Sequence, residues 1–211
     1  MKLNALILAL LLPLTIFGGQ PAQIYYTNVA SLIDPVKLAT LGKRGANPRV
    51  QKAVAQLELA RRDGHAIPVV VSNAVWLANY TNAGWATLTS DALLRNHDIA
   101  RRLGVFDNGG LADMRQGKSP TIRQRPYDGD ELSVDHLVPV AAAPELDNVI
   151  GNLLLLPMRL NASKGDEIGM VQVMYANQFY ALGLISSERL AQIEGRLEAW
   201  PAAKKKQTSA R

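Results

Sequence analysis

Leu132-Ser133-Val134-Asp135-His136-Leu137-Val138-Pro139, followed after a polar loop by Gly151-Asn152-Leu153-Leu154-Leu155-Leu156-Pro157-Met158-Arg159-Leu160-Asn161-Ala162-Ser163-Lys164-Gly165-Asp166, decides how this chain is read. Residues 132–138 alternate with period two, so Leu132, Val134, His136 and Val138 fall on one face of a strand. Strict alternation turns Asp135 away from His136; the two serve one site only where the strand bends or ends, which Pro139 permits. Asn152 to Leu156 reads as a short second strand, and Pro157 opens a helix carrying Asn161 and Lys164. The order is strand, loop, strand, helix.

On the N-terminal side the pattern is mostly helical. Asn47 and Pro48 mark a helix start, Val50, Val54 and Leu57 recur at helical spacing, and Gly64 ends the run. Residues 68–80 are ambiguous: Val69-Val70-Val71 favours a strand and Ala74 to Ala78 a helix. Thr89, Ser90 and Asp91 are cap residues for a helix bearing Leu93, Leu94, Ile99 and Leu103, closed by Gly104. Asp107-Asn108-Gly109-Gly110 reads as a turn, and residues 117–126 as an extended basic segment. After the central stretch, residues 168–182 are helical up to Gly183. Ser186 or Ser187 caps a last helix with Leu190, Ile193 and Leu197 on one face, which Pro201 stops.

The ends and the charge narrow the setting. Lys2, the apolar run from Ala5 to Phe17 and the small or polar residues after it have the layout of a signal peptide over residues 1–22. The run is short for a membrane span, which takes about 20 residues, so no integral span is expected after leader cleavage; an uncleaved N-terminal anchor is the alternative. A secreted or periplasmic location follows. The chain has no cysteine, so packing rather than disulfides must hold it. Of its five net positive charges, Lys2 carries one and Lys204, Lys205, Lys206 and Arg211 the other four, leaving residues 23–200 formally neutral. Within that body, Arg115, Lys118, Arg123 and Arg125 form an acid-free basic stretch. Lys43, Arg44, Arg49, Lys52, Arg61 and Arg62 form a second, with Glu58 its one acid. Either suits phosphate contacts; a solvated face is the plainer reading of the second. A hydrophobic fraction of 48% over 211 residues fits a packed domain, or one domain with an appended lobe, and excludes general disorder.

Phosphodiester hydrolysis needs a base for water, a cation to take up charge and donors to fix the phosphate. The central stretch offers all three. A neutral imidazole at His136 suits the base. The hard oxygens of Asp135 and Asn161 suit Mg²⁺ or Mn²⁺. Lys164, one turn beyond Asn161, together with Arg123 and Arg125, suits the phosphates. His65 and His97 have no such company and read as ordinary structural histidines.

An adjacent Asp135-His136, an amide at Asn152 sixteen residues after the histidine, Asn161 nine later and the closing Lys164-Gly165-Asp166 resemble the core of the HNH endonucleases, the ββα-metal nucleases. The resemblance spans residues 132–166. It implies His136 as general base, Asp135 and Asn161 as ligands of one divalent metal, and Asn152 as the residue that pins the loop and orients the histidine. Water and the substrate phosphate would complete the metal shell, and products would carry 5′-phosphate and 3′-hydroxyl. Asn161 stands where the family has His or Asn, and the zinc-binding cysteines of many members are replaced by residues such as Pro157 and Leu160.

The expected fold class is therefore α+β: a mostly helical N-terminal lobe (23–115), then a ββα-metal nuclease core followed by C-terminal helices (116–200), and a basic disordered tail (201–211). The expected function is a metal-dependent endonuclease of low sequence specificity acting on nucleic acid, with DNA favoured over RNA. The alternative is a non-catalytic exported module that binds nucleic acid or protein on an HNH-like scaffold. Export argues against a homing or restriction role.

Overall fold

The structure, a computed structural model, describes residues 19–208. Of the leader expected over residues 1–22, residues 1–18 lie outside them; within them, Gln20 N–H donates to Asp63 and Ala22 begins the first helix. Six helices come first: α1 (Ala22–Ile33), α2 (Pro35–Ala39), α3 (Asn47–Arg62), α4 (Ile67–Leu77), α5 (Ala83–Arg102) and α6 (Asn108–Gln116). Then come β1 (Leu132–His136), two 3-10 turns (Pro144–Leu146 and Ile150–Asn152), β2 (Leu153–Pro157), α7 (Met158–Lys164), α8 (Met170–Ala181) and α9 (Ser187–Thr208). The class is α+β, and the strands form a two-stranded antiparallel sheet. Among the described residues no helix is long and apolar enough to cross a membrane.

Several elements differ from the sequence reading. The valine run lies in α4, because Val70, Val71, Ala74 and Val75 all fall on its buried stripe. α5 starts earlier than expected: Asn82, not Thr89, caps it, accepting the Trp85 N–H at 3.0 Å. Thr89 is buried inside that helix. Asp107-Asn108-Gly109-Gly110 is not a turn but a helix start, with the Asp107 carboxylate capping the Gly110 N–H at 2.6 Å. A β-carbon at Gly110 would collide with the Val105 carbonyl, so only glycine fits there. Ala46 rather than Asn47 is the N-cap of α3. α9 runs through Pro201 to Thr208 instead of stopping before it, carried on by alanine, lysine and glutamine, all good helix formers. The tail expected to be disordered from residue 201 is thus helical to residue 208, and residues 209–211 lie outside the described ones.

The sheet has two unlike faces. The register Leu132↔Pro157, Val134↔Leu155 and His136↔Leu153 puts these six residues on one face. Leu132, Leu153 and Leu155 are fully buried there and join the core built from α1 and α3 to α6, so residues on both sides of position 116 share one core. The edge of β2 turned away from β1 is closed by a side chain. Asn96 on α5 donates to the Leu153 carbonyl at 2.9 Å and accepts the Leu155 N–H at 2.9 Å, imitating a third strand. Gly151 brings the loop so close to α5 that a β-carbon would lie 2.6 Å from Leu88. The opposite face, bearing Ser133 and Asp135, lies under α7. A second core, with Val138, Leu146, Ile168, Phe179 and Ile193, packs α8 and α9 beside the loop.

Candidate functional site

Asn152 is fully buried and is the anchor of the loop between the strands. Its Oδ1 accepts the Val138 N–H at 2.8 Å, and its Nδ2 donates to the Val138 carbonyl at 3.0 Å and the Leu146 carbonyl at 3.3 Å. Its own carbonyl accepts the Leu137 N–H at 2.8 Å. One amide thus ties the exit of β1 to the far side of the loop. Replacing it by an apolar side chain would strand buried donors and acceptors, at about 1–3 kcal/mol each.

That loop presents Asp147 to His136. The histidine is 4% exposed, and its Nε2 lies 2.9 Å from the Asp147 carbonyl. A carbonyl only accepts, so Nε2 carries a proton, and the tautomer this selects has its lone pair on Nδ1. Nδ1 has no partner among the described residues and is not one of the fully enclosed unpartnered atoms. The Asp147 carboxylate stands beside the same nitrogen, Oδ1 at 3.1 Å but not aligned for a hydrogen bond. Its Oδ2 accepts the Arg44 N–H at 2.8 Å. The sequence reading gave Asp147 no role; its one clue was position, eleven residues after His136 in the polar loop.

Asp135 lies on the other face, where α7 brings Asn161 to Ser133 and Lys164 to Asp135. The Lys164 ammonium donates to Asp135 Oδ2 at 2.7 Å and to the His136 carbonyl at 2.8 Å. Asn161 Nδ2 donates to Ser133 Oγ at 3.1 Å. Asn161 and Lys164, three apart on α7, therefore straddle Ser133 and Asp135, two apart on β1. Asp135 Oδ1 and Asn161 Oδ1 accept no hydrogen bond among the described residues, leaving two hard oxygen donors for a cation such as Mg²⁺ or Mn²⁺. Their chemistry fits that ion, with Lys164 as its rival for Asp135. No group of three His, Asp or Glu side chains is gathered among the described residues.

By register Asp135 and His136 point to opposite faces of β1, as strict alternation demands. His136 is the last residue of the strand, so only something lying across the strand end can reach both.

The expected phosphate ligands separate. Lys164 is engaged as described. Arg123 donates from Nε to Asp107 at 3.1 Å, and its own N–H is bonded to Leu103 at the end of α5. Arg125 precedes a cis proline. Both belong to the 120–131 segment that enters β1 at Leu132, about 13 Å by strand rise from His136. Arg159 is occupied by Asp130 at 3.2 Å. His97 is a structural group: buried, it donates to Glu58 at 3.2 Å. His65 bonds the Gln20 carbonyl. No family model, curated protein or solved structure matches the chain.

Proposed function

We propose that this chain is an exported, metal-dependent endonuclease that hydrolyses phosphodiester bonds in DNA with low sequence specificity, on a ββα-metal nuclease core. The observation that carries the reading is the fixed tautomer of His136, with Nε2–H held by the Asp147 carbonyl and the lone pair left on Nδ1. Nδ1 takes a proton from water as the water oxygen bonds to phosphorus. The imidazolium that results is stabilised by the Asp147 carboxylate, in the way an orienting aspartate supports a catalytic histidine. Asn152 holds the loop so that this partner does not drift. Asp135 and Asn161 are the residues that would hold Mg²⁺ or Mn²⁺, which when bound supplies positive charge to the phosphate. Breakage of the P–O3′ bond sends its electron pair to O3′, which takes a proton from solvent water, leaving a 5′-phosphate and a 3′-hydroxyl.

A second reading, the non-catalytic exported binding module, is favoured by one observation: the Lys164 ammonium already sits against Asp135. The two separate on supercoiled plasmid incubated with millimolar Mg²⁺ or Mn²⁺. The nuclease nicks it, stops with EDTA and is silenced by His136→Ala. A wild-type protein that binds the plasmid but leaves it intact with every common divalent metal sinks the first reading.

A further inference from the structure

We infer that the loop of residues 41–46 is a substrate strap, in which Lys43 and Arg44 grip the phosphate backbone of a polynucleotide beside the catalytic histidine. This rests on the endonuclease reading and names where that enzyme holds its substrate. The loop comes from the N-terminal helices but is stapled to the loop that partners His136, about a hundred residues later. Arg44 N–H donates to Asp147 Oδ2 at 2.8 Å and Ala46 N–H to Asn148 Oδ1 at 3.0 Å. Asn148 Nδ2 returns bonds to the carbonyls of Leu41 at 3.2 Å and Gly42 at 3.1 Å. These bonds spend the backbone and leave the side chains outside.

Arg44 is held at φ 58°, a left-handed conformation that a residue with a β-carbon adopts at a cost. The guanidinium and the Lys43 ammonium are exposed and form no ion pair among the described residues. Both line a groove of about 470 Å³ with Val140, Ala141, Pro144, Asp147 and Asp166. The groove opens just past the C-terminal end of β1, where Asp135 and His136 part. Its two acids form no ion pair with the cations: Asp147 faces His136 Nε2 and the Arg44 N–H, and Asp166 is exposed. The 16-residue α3 begins directly behind the strap with no acid in its first turn, so the positive end of its dipole adds to the field. An anionic chain laid in this groove would thus meet two unpaired cations and pass Asp147, the residue whose carbonyl holds His136. Arg123 is engaged elsewhere, and Arg123 and Arg125 lie toward the opposite end of β1.

The test separates grip from chemistry. His136→Ala is the parent, and fluorescence anisotropy with a labelled DNA duplex is read against NaCl in the presence of EDTA. Adding Lys43→Ala and Arg44→Gly, where glycine accepts the left-handed backbone, removes both charges without disturbing the staple; an unchanged melting temperature verifies that. The parent's binding should weaken by about tenfold or more, and the slope of log K against log salt should fall by nearly two, one per lost phosphate contact. A triple variant that binds with the parent's affinity and slope overturns the strap, whether or not the wild type cleaves. So does a parent with no salt-dependent binding. If strap-dependent binding appears but the wild type never cleaves, the strap stands and the endonuclease reading falls.

Discussion

The two faces of the small sheet are built to different ends. On one, Leu132, Leu153 and Leu155 are fully buried, and Asn96 satisfies the free edge of β2 with both ends of its amide. On the other, α7 buries none of its residues, and its polar contacts with Ser133 and Asp135 leave oxygen acceptors open. The first face is packed into the core, and the second bears the proposed metal ligands. His136 sits where they meet, on the buried face by register but at the last position of the strand. A histidine there is held by the loop that Asn152 pins and by the Asp147 carbonyl, while Nδ1 has no partner among the described residues.

The widest separation of the faces should come from the histidine. His136→Ala is expected to slow plasmid nicking by about 10²–10⁴-fold, while far-UV circular dichroism keeps its wild-type shape; retention of full activity would remove the base from the scheme. Next, Leu155→Ala should cost about 2–5 kcal/mol in urea unfolding, with Mn²⁺ affinity of the still-folded protein unchanged. A large loss of metal affinity there would mean that the two faces are coupled.

Acid probes the helical core behind the buried face through one carboxylate, Glu58. Burial by itself would raise the Glu58 carboxyl, but hydrogen bonds from Arg61, Arg62 and His97 bring it down to about 2. Its stabilisation is complete above the unfolded value of 4.5 and is lost as the pH falls toward about 2, amounting to at most about 3 kcal/mol. Burial also lowers the His97 pKa, so below the ordinary histidine value the unfolded chain takes up the proton first, again destabilising the fold in acid. Urea midpoints measured from pH 7 down to pH 2 should decline throughout, and in Glu58→Gln the step below pH 4.5 should shrink.

The smallest effects on stability belong to the open face. Asn161→Ala should move the melting curve by less than about 0.5 kcal/mol yet weaken Mn²⁺ binding by titration calorimetry. Lys164→Met should strengthen that binding severalfold, since it frees Asp135 of its ammonium rival. Weaker binding in Lys164→Met would contradict the competition.

Local chemistry in the sequence foretold the local parts of this arrangement. Alternation from Leu132 to His136, Pro157 at the helix entry and Gly183 after α8 gave strand, strand and helix nearly in place, because each signal acts within a few residues. The contacts that make the site have no such signature. Asn96 meets Leu153 across 57 residues, and Arg44 meets Asp147 across 103. Nothing near Asn96 distinguishes it from an ordinary helix-surface amide. The same limit explains Arg123: its basic neighbourhood is visible in the chain, but its partner Asp107 is chosen by the way the segment folds back on α5. The Asp107 cap was missed for a different reason, since Asn-Gly-Gly reads equally well as a turn until the packing against Val105 is known.

The tie between residues 41–46 and residues 147–148 bears on synthesis. A nascent chain whose first hundred-odd residues have left the ribosome already carries the cationic loop, yet lacks the imidazole and the amide that aims it. In the proposed enzyme, the site would therefore be assembled only when the later third of the polypeptide docks back onto the earlier helices, and a truncated translation product would lack it.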